Sequence, residues 1–212
     1  MLERRPFSAS LARCNKMPGV ASMLTPRFDA ALAYAVNIHR AQVRKGSGIP
    51  YVGHLLGVAS LVLEDGGNED EAIAAVLHDA VEDQGGSPRL ADIGARFGNH
   101  VAHIVASCTD SDTTPKPPWR ERKAAYLAHL RETPPDVLRV SAADKLYNAR
   151  AILADYRELG EALWPRFNMG REEILWYYRS LVEVFRGRRA GRLAEELART
   201  VEELEKLVRG GA

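Results

Sequence analysis

Apolar positions recur at helical spacing along most of the chain, and no useful length of it alternates with the two-residue period of a strand. Thr25-Pro26 is an N-cap and first-turn pair. Phe28, Leu32, Ala35, His39 and Val43 follow on one face, and Gly46-Ser47-Gly48-Ile49-Pro50 ends that helix. A second helix is predicted from about His54 to Gly66-Gly67. A third starts after Asn68, a cap, and runs through Ile73, Val76, Leu77 and Ala80 to Asp83, where Gly85-Gly86 stops it. Two shorter helices, Leu90 to Phe97 and Val101 to Cys108, flank Gly98. The segment Thr109 to Pro118 holds three prolines and reads as a loop. Helices are then expected over about Arg120 to Arg131, from Pro134-Pro135 through Leu153, and from about Gly170 to Phe185. Leu193, Leu197, Val201, Leu204 and Val208 mark a last amphipathic helix. The pattern predicts an all-α fold in a single domain over residues 26–212, behind a poorly ordered N-terminal extension of residues 1–25.

Composition narrows the class. The 212 residues are 46% hydrophobic and 27% charged, which suits a globular domain with a full core. A net charge of +1 provides no global field toward nucleic acid or membrane, so neither is expected as a partner. Two cysteines, Cys14 and Cys108, make neither a disulfide framework nor a zinc ribbon, and a reducing cytoplasmic setting is expected. The first residues lack the apolar region of a secretory signal. The aromatic C-terminal helices are compatible with a homo-oligomer.

The chemistry centres on His78-Asp79. An imidazole beside a carboxylate inside an apolar stretch is costly for a core unless a cation partners both. With His54 upstream and Asp144 downstream, four candidate ligands form a mixed nitrogen and oxygen set. Lacking thiolate, that set suits Mn²⁺, Fe²⁺, Co²⁺ or Zn²⁺ better than Ca²⁺. Four protein ligands leave an octahedral ion room for water, as a catalytic metal needs. Glu82 and Asp83 lie one helical turn beyond His78 and Asp79, where a carboxylate can orient that water or move its proton. Asn148 follows Asp144 by the same step. His39 reads instead as a hydrogen-bonded core histidine, and His100, His103 and His129 as surface or packing residues.

Cations surround these positions. Arg44-Lys45 complements a helix dipole or contacts a nucleotide, with Arg stacking on a base and Lys meeting a phosphate or base oxygen. Lys116, Arg120, Arg122 and Lys123 read either as an anion clamp for phosphates or as a solvated face. Lys145 and Arg150 carry the same ambiguity. Trp164, Trp176, Tyr177 and Tyr178 read as packing residues. No P-loop, GxGxxG or serine nucleophile elbow is present.

The order His54, His78-Asp79, Asp144 resembles the HD metal-dependent phosphohydrolase superfamily, and within it the hydrolase domains of the RelA/SpoT alarmone enzymes. The similar stretches are HRAQVRKGSGIPYVGHLLGVA at His39–Ala59, AAVLHDAVEDQ at Ala74–Gln84, FGNHVAHIVASCTD at Phe97–Asp110 and ADKLYNARAIL at Ala143–Leu153. FNMGREEILWYYRSLVEVF is similar to stand-alone small alarmone hydrolases, including metazoan SpoT homologues. The resemblance implies a Mn²⁺-dependent guanosine 3′,5′-bis(diphosphate) 3′-pyrophosphohydrolase acting on (p)ppGpp. It implies metal ligation by His54, His78, Asp79 and Asp144, a catalytic acid pair in Glu82 and Asp83, and nucleotide contacts from Arg44, Lys45 and Asn148. Lys116, Arg122 and Lys123 fall where such enzymes place cations near phosphates. The chain departs in having Gly53-His54-Leu55 where His-Pro is common. Competing expectations are the same site acting on another nucleotide, such as the 2′-phosphate of NADPH, or a nucleotide-binding regulator with little turnover.

Overall fold

A computed structural model describes residues 24–110, 115 and 117–210. The expected N-terminal extension therefore lies almost wholly outside the described residues. Within them the architecture is all-α, a single helical domain built around one buried helix. The framework begins with α1 (Pro26–Ile38), α2 (Val52–Glu64) and α3 (Glu69–Leu77), followed by the single turn α4 (Ala80–Asp83). Next come α5 (Gly86–Phe97), α6 (Asn99–Cys108) and α7 (Trp119–Leu130). The long α8 (Pro135–Leu159), α9 (Arg171–Gly187) and α10 (Gly191–Gly210) complete it.

Helix α3 is the centre. Ala72 through Leu77 are fully buried, as expected for a helix apolar on all sides. It packs against α1, α2, α6 and α8. Its start is well defined: Asn68 accepts from the Glu71 amide, and the Glu71 side chain accepts from the Asn68 amide. Helix α8 opens at Pro135, where its missing N–H costs nothing, and packs on α2, α3, α6 and α10. The last helix buries Leu193, Leu197, Val201, Leu204 and Val208, the stripe expected from the sequence.

Three expectations about elements need correction. The first helix ends at Ile38 and not near Val43. Beyond His39 the chain turns, and Val43 pairs with Pro50 in an isolated antiparallel bridge. Arg44 N–H donates to the Ile49 carbonyl at 2.8 Å and Tyr51 N–H to Gln42 at 2.9 Å. Gly46 and Gly48 supply the positive φ of that tight loop, at +87° and +69°. Val43 matched the apolar period yet is exposed. The third predicted helix is two, because α3 stops at Leu77 and α4 begins at Ala80. A 3₁₀ helix at Gly160–Arg166, not expected from the periodicity, joins α8 to the approach of α9.

Candidate metal centre and adjoining cleft

The break between α3 and α4 falls on His78-Asp79. His78 is the C-cap of α3 and Asp79 the N-cap of α4. An uninterrupted helix would splay consecutive side chains by about 100°. The break lets both point into one space. His54 comes from the first turn of α2 and Asp144 from the middle of α8.

The four side chains converge. The Nε2 atoms of His54 and His78 are 3.2 Å apart. Asp79 Oδ2 lies 3.4 Å from His54 Nε2 and 3.0 Å from His78 Nε2. Asp144 Oδ1 lies 3.3 and 3.5 Å from the same two nitrogens. Donor atoms of His54, His78 and Asp144 all fall within 4.8 Å of one another. Donor atoms this close together are compatible with one divalent ion held at metal–ligand distances of roughly 2.0–2.6 Å.

Tautomer chemistry supports a cation. His78 Nδ1 sits 2.8 Å from the Ala75 carbonyl, so the proton of a neutral ring is held there and the Nε2 lone pair faces the cage. That lone pair meets carboxylate oxygen and a second imidazole nitrogen, acceptors that need a positive charge between them. A proton meets the same demand: burial disfavours the His78 imidazolium, yet Asp79 and Asp144 raise its pKa well above the usual range. Burial opposes ionisation of Asp79, but His78 and His54 hold its pKa well down. Asp144 is likewise held low against burial, first by Lys145 and then by the two histidines. His54 Nδ1 is buried without a protein hydrogen-bond partner.

Groups outside the cage fix its oxygens. Tyr51 donates to Asp79 Oδ2 at 2.5 Å. Lys145 Nζ donates to Asp144 Oδ2 at 2.5 Å, and Asn148 Nδ2 donates to Asp144 Oδ1 at 2.6 Å. Burial alone would lower the Lys145 ammonium, but the Asp144 carboxylate holds it well above its normal range. Helix α4 keeps the expected one-turn step, with Asp83 N–H bonded to the Asp79 carbonyl at 3.0 Å. Asp83 Oδ2 accepts from Gln42 Nε2 at 2.8 Å. Gln42 Oε1 in turn meets His39 Nδ1 and Gln84 Nε2, each at 2.6 Å. His39 is thus the buried, hydrogen-bonded histidine that was expected.

A cleft of about 270 Å³ opens beside His54. Arg44, Lys45 and Asn148 line it, so three of the six expected substrate contacts meet at one wall. Arg44 Nη2 donates to Asn148 Oδ1 at 2.8 Å, and the Arg44 guanidinium carbon lies 5.6 Å from the Tyr147 ring centre. Lys45 Nζ donates to Asn168 Oδ1 at 2.6 Å. Arg122 and Lys123 stand elsewhere, both gripping Asp110 at 2.6–2.8 Å. Burial lowers the Lys123 ammonium, as does the charge of Lys145, while Asp110 and Glu82 act in the opposite sense. Lys123 therefore sits in the field of Glu82, and it is not among the residues that line the cleft. Lys116 lies outside the described residues.

The HD-domain family model matches residues 31–163, a span that holds every cage residue. The chain belongs to the HD-domain family. Among its relatives is the guanosine-3′,5′-bis(diphosphate) 3′-pyrophosphohydrolase MESH1 of Xenopus tropicalis. It is 39% identical over 130 residues, covering 58% of this chain and 70% of that protein. The human MESH1 is 37% identical over 123 residues, covering 57% and 66%. These alignments span about two thirds of the relatives' length. A solved metazoan orthologue of SpoT, described as hydrolysing ppGpp, superposes with a TM-score of 0.68 at 24% identity over 90% of this chain and 98% of that one. At that identity it supports the fold. A crystal structure from Listeria monocytogenes EGD-e gives a TM-score of 0.65 at 31% identity, covering 72% and 99%. No described helix of this HD-domain chain is long and apolar enough to cross a membrane.

Sequence reasoning passed over several residues that build the site. Tyr51 stands one turn before His54, and Gln42 two residues before Arg44. Tyr147, Asp155 and Phe167 line the cleft. The step from Asp144 along α8 to Tyr147 and Asp155 was a usable signal. Phe167 and Asn168 follow the 3₁₀ helix and carried none.

Proposed function

We propose that this chain hydrolyses the 3′-diphosphate of (p)ppGpp, releasing pyrophosphate and leaving GDP or GTP, with Mn²⁺ as its cofactor. The observation that carries the proposal is the convergence of His54, His78, Asp79 and Asp144 next to a cleft lined by Arg44, Lys45 and Asn148. Kinship with the MESH1 enzymes supports the substrate.

His54, His78, Asp79 and Asp144 would hold the ion. When bound, it would polarise a phosphoryl oxygen and make a water acidic near neutral pH. Glu82 and Asp83, one turn beyond the ligands, orient the attacking water, take its proton and return one to the leaving ribose O3′. Oxygen from water bonds to the phosphorus carried by O3′, and the P–O3′ bond breaks. Arg44 and Lys45 hold the nucleotide in the cleft, with Asn148 tying that wall to Asp144. Arg122 and Lys123, held by Asp110 outside the cleft, would act on the phosphates only through their field, and Lys116 is the remaining candidate for a direct contact. The setting we propose is cytoplasmic, with a guanine nucleotide as the small-molecule partner.

The test is incubation of purified protein and Mn²⁺ with ppGpp, NADPH or GTP. Pyrophosphate release from ppGpp is expected. It should vanish with EDTA and fall by at least about 100-fold in Asp79→Asn, which removes a charged ligand. Orthophosphate from NADPH with no ppGpp turnover would make the substrate a different nucleotide. Tight ppGpp binding without product would make the protein a regulator.

A further inference from the structure

One stripe of α8 leads from the cage to the far end of the cleft. Asp144, Asn148, Ala151 and Asp155 follow at steps of four, three and four, so they share one helix face. Asp144 belongs to the cage, and the other three line the cleft. Eleven residues of helix advance the backbone by roughly 16 Å. A purine nucleoside with its 3′ phosphate chain is long enough to span that distance.

Asp155 supplies the carboxylate among the described residues of the cleft wall. Its side chain is 44% exposed, and its ion pair with Arg166 is long, at 3.9 Å. That distance exceeds a hydrogen bond, so the carboxylate oxygens retain acceptor capacity. Arg166 is itself placed against the Arg44-to-Pro50 loop: a Cβ at Gly46 would lie 3.1 Å from Arg166 Cδ. Lys45 also lines the cleft, its ammonium held by Asn168. Phe167 and Tyr147 offer ring surface. The cleft thus combines a strong acceptor, a strong donor and aromatic walls.

We infer that Asp155 is a specificity-determining residue that reads the Watson–Crick edge of a guanine base. This rests on the proposed alarmone hydrolysis and adds the basis of its base selectivity. Guanine presents an N1–H and a 2-amino group, two donors on one edge, which a carboxylate accepts together. Its O6 is an acceptor suited to Lys45. Adenine presents the reverse: an N1 lone pair toward the carboxylate, an amino group toward the ammonium, and no 2-amino group. Selectivity then comes from repulsion of the wrong base as well as attraction of the right one.

The experiment is steady-state hydrolysis by the full chain with Mn²⁺. The substrates are ppGpp, its hypoxanthine analogue lacking the 2-amino group, and its adenine analogue. In Asp155→Asn and Asp155→Ala, KM for ppGpp should rise about 10- to 100-fold while kcat stays within about threefold. KM for the adenine analogue should stay level or fall. The hypoxanthine analogue should bind the wild type more weakly than ppGpp and lose that disadvantage in Asp155→Ala. Because the side chain is half exposed, both variants should melt with the wild type. Arg166→Gln should leave the guanine preference in place. If it instead reproduced Asp155→Ala, the carboxylate would serve only to hold Arg166 and the inference would fall. Wild-type turnover of ppGpp with an unchanged guanine preference in Asp155→Asn would also overturn it, while sparing the proposed function. No wild-type turnover of ppGpp would remove both.

Discussion

The cage residues depend on neighbours that touch no cation. Tyr51 donates its hydroxyl to the Asp79 oxygen that faces both imidazoles, and its ring packs between His39 and His54. Burial and the negative charge of Asp79 push the Tyr51 phenol far above its ordinary pKa, so it acts as a fixed donor at any working pH. Tyr51→Phe keeps the ring and deletes only that bond. Mn²⁺ affinity should drop about 10- to 100-fold, as when other outer partners of metal ligands are removed. Mn²⁺ titration of the purified variant reads this directly. An unchanged affinity would mean that the histidines alone orient Asp79. Asp144 is supported in the same way by Lys145 and Asn148, each on its own oxygen.

At the scale of elements, α2 and α8 approach one another across Tyr147. A Cβ placed on Gly57 would lie 1.9 Å from Tyr147 Cε2, well inside contact distance. The glycine lets the Tyr147 ring settle against His54, with ring centres 5.1 Å apart, and lets its hydroxyl reach the Gly53 carbonyl at 3.3 Å. Gly57→Ala should force the ring away and destabilise the fold by about 1–3 kcal/mol through overpacking. It should also raise the nucleotide KM, because Tyr147 walls the cleft. A lower denaturant midpoint with unchanged slope is the expected signature. A variant as stable as wild type would show that the two helices part easily. The His78-Asp79 break is the second device at this scale, since it lets neighbours in sequence point into one space beside His54 and Asp144.

At the scale of the whole molecule, Asp110 ties the segment after α6 to α7 through Arg122 and Lys123. The three side chains are only 7%, 15% and 17% exposed. Burial would raise the Asp110 carboxyl, but the Lys123 and Arg122 charges hold its pKa below the usual value. A carboxylate depressed in the folded state contributes stability that is present above its unfolded pKa of about 3.9 and fades as pH falls through the lower folded value. Asp110→Asn should therefore cost about 2 kcal/mol at pH 7, where it strands a buried ammonium. The gap to wild type should hold above about pH 5, begin to narrow near the unfolded pKa of about 3.9 and close only below the lower folded pKa. Denaturant midpoints across that range check it, and a gap that did not narrow at all as pH fell below about 3.9 would contradict the account.

Much of this was legible in the chain itself. Helical periodicity, the Thr25-Pro26 and Asn68 caps and the proline at the head of α8 depend on near neighbours, and local rules suffice for them. The ligand types were legible too, because an imidazole and a carboxylate in an apolar run demand a partner wherever they fall. Convergence was not legible. His54, His78 and Asp144 sit on separate elements, and only the packing of α2 and α8 around the buried α3 brings their donor atoms within 4.8 Å. Val43 satisfied the first helix's period yet left it, because backbone pairing with Pro50 across two positive-φ glycines outweighed one apolar side chain. The cations divided for the same reason: Arg44 and Lys45 reached the cleft while Arg122 and Lys123 closed on Asp110, a choice made by distances across the fold that no spacing along the chain encodes.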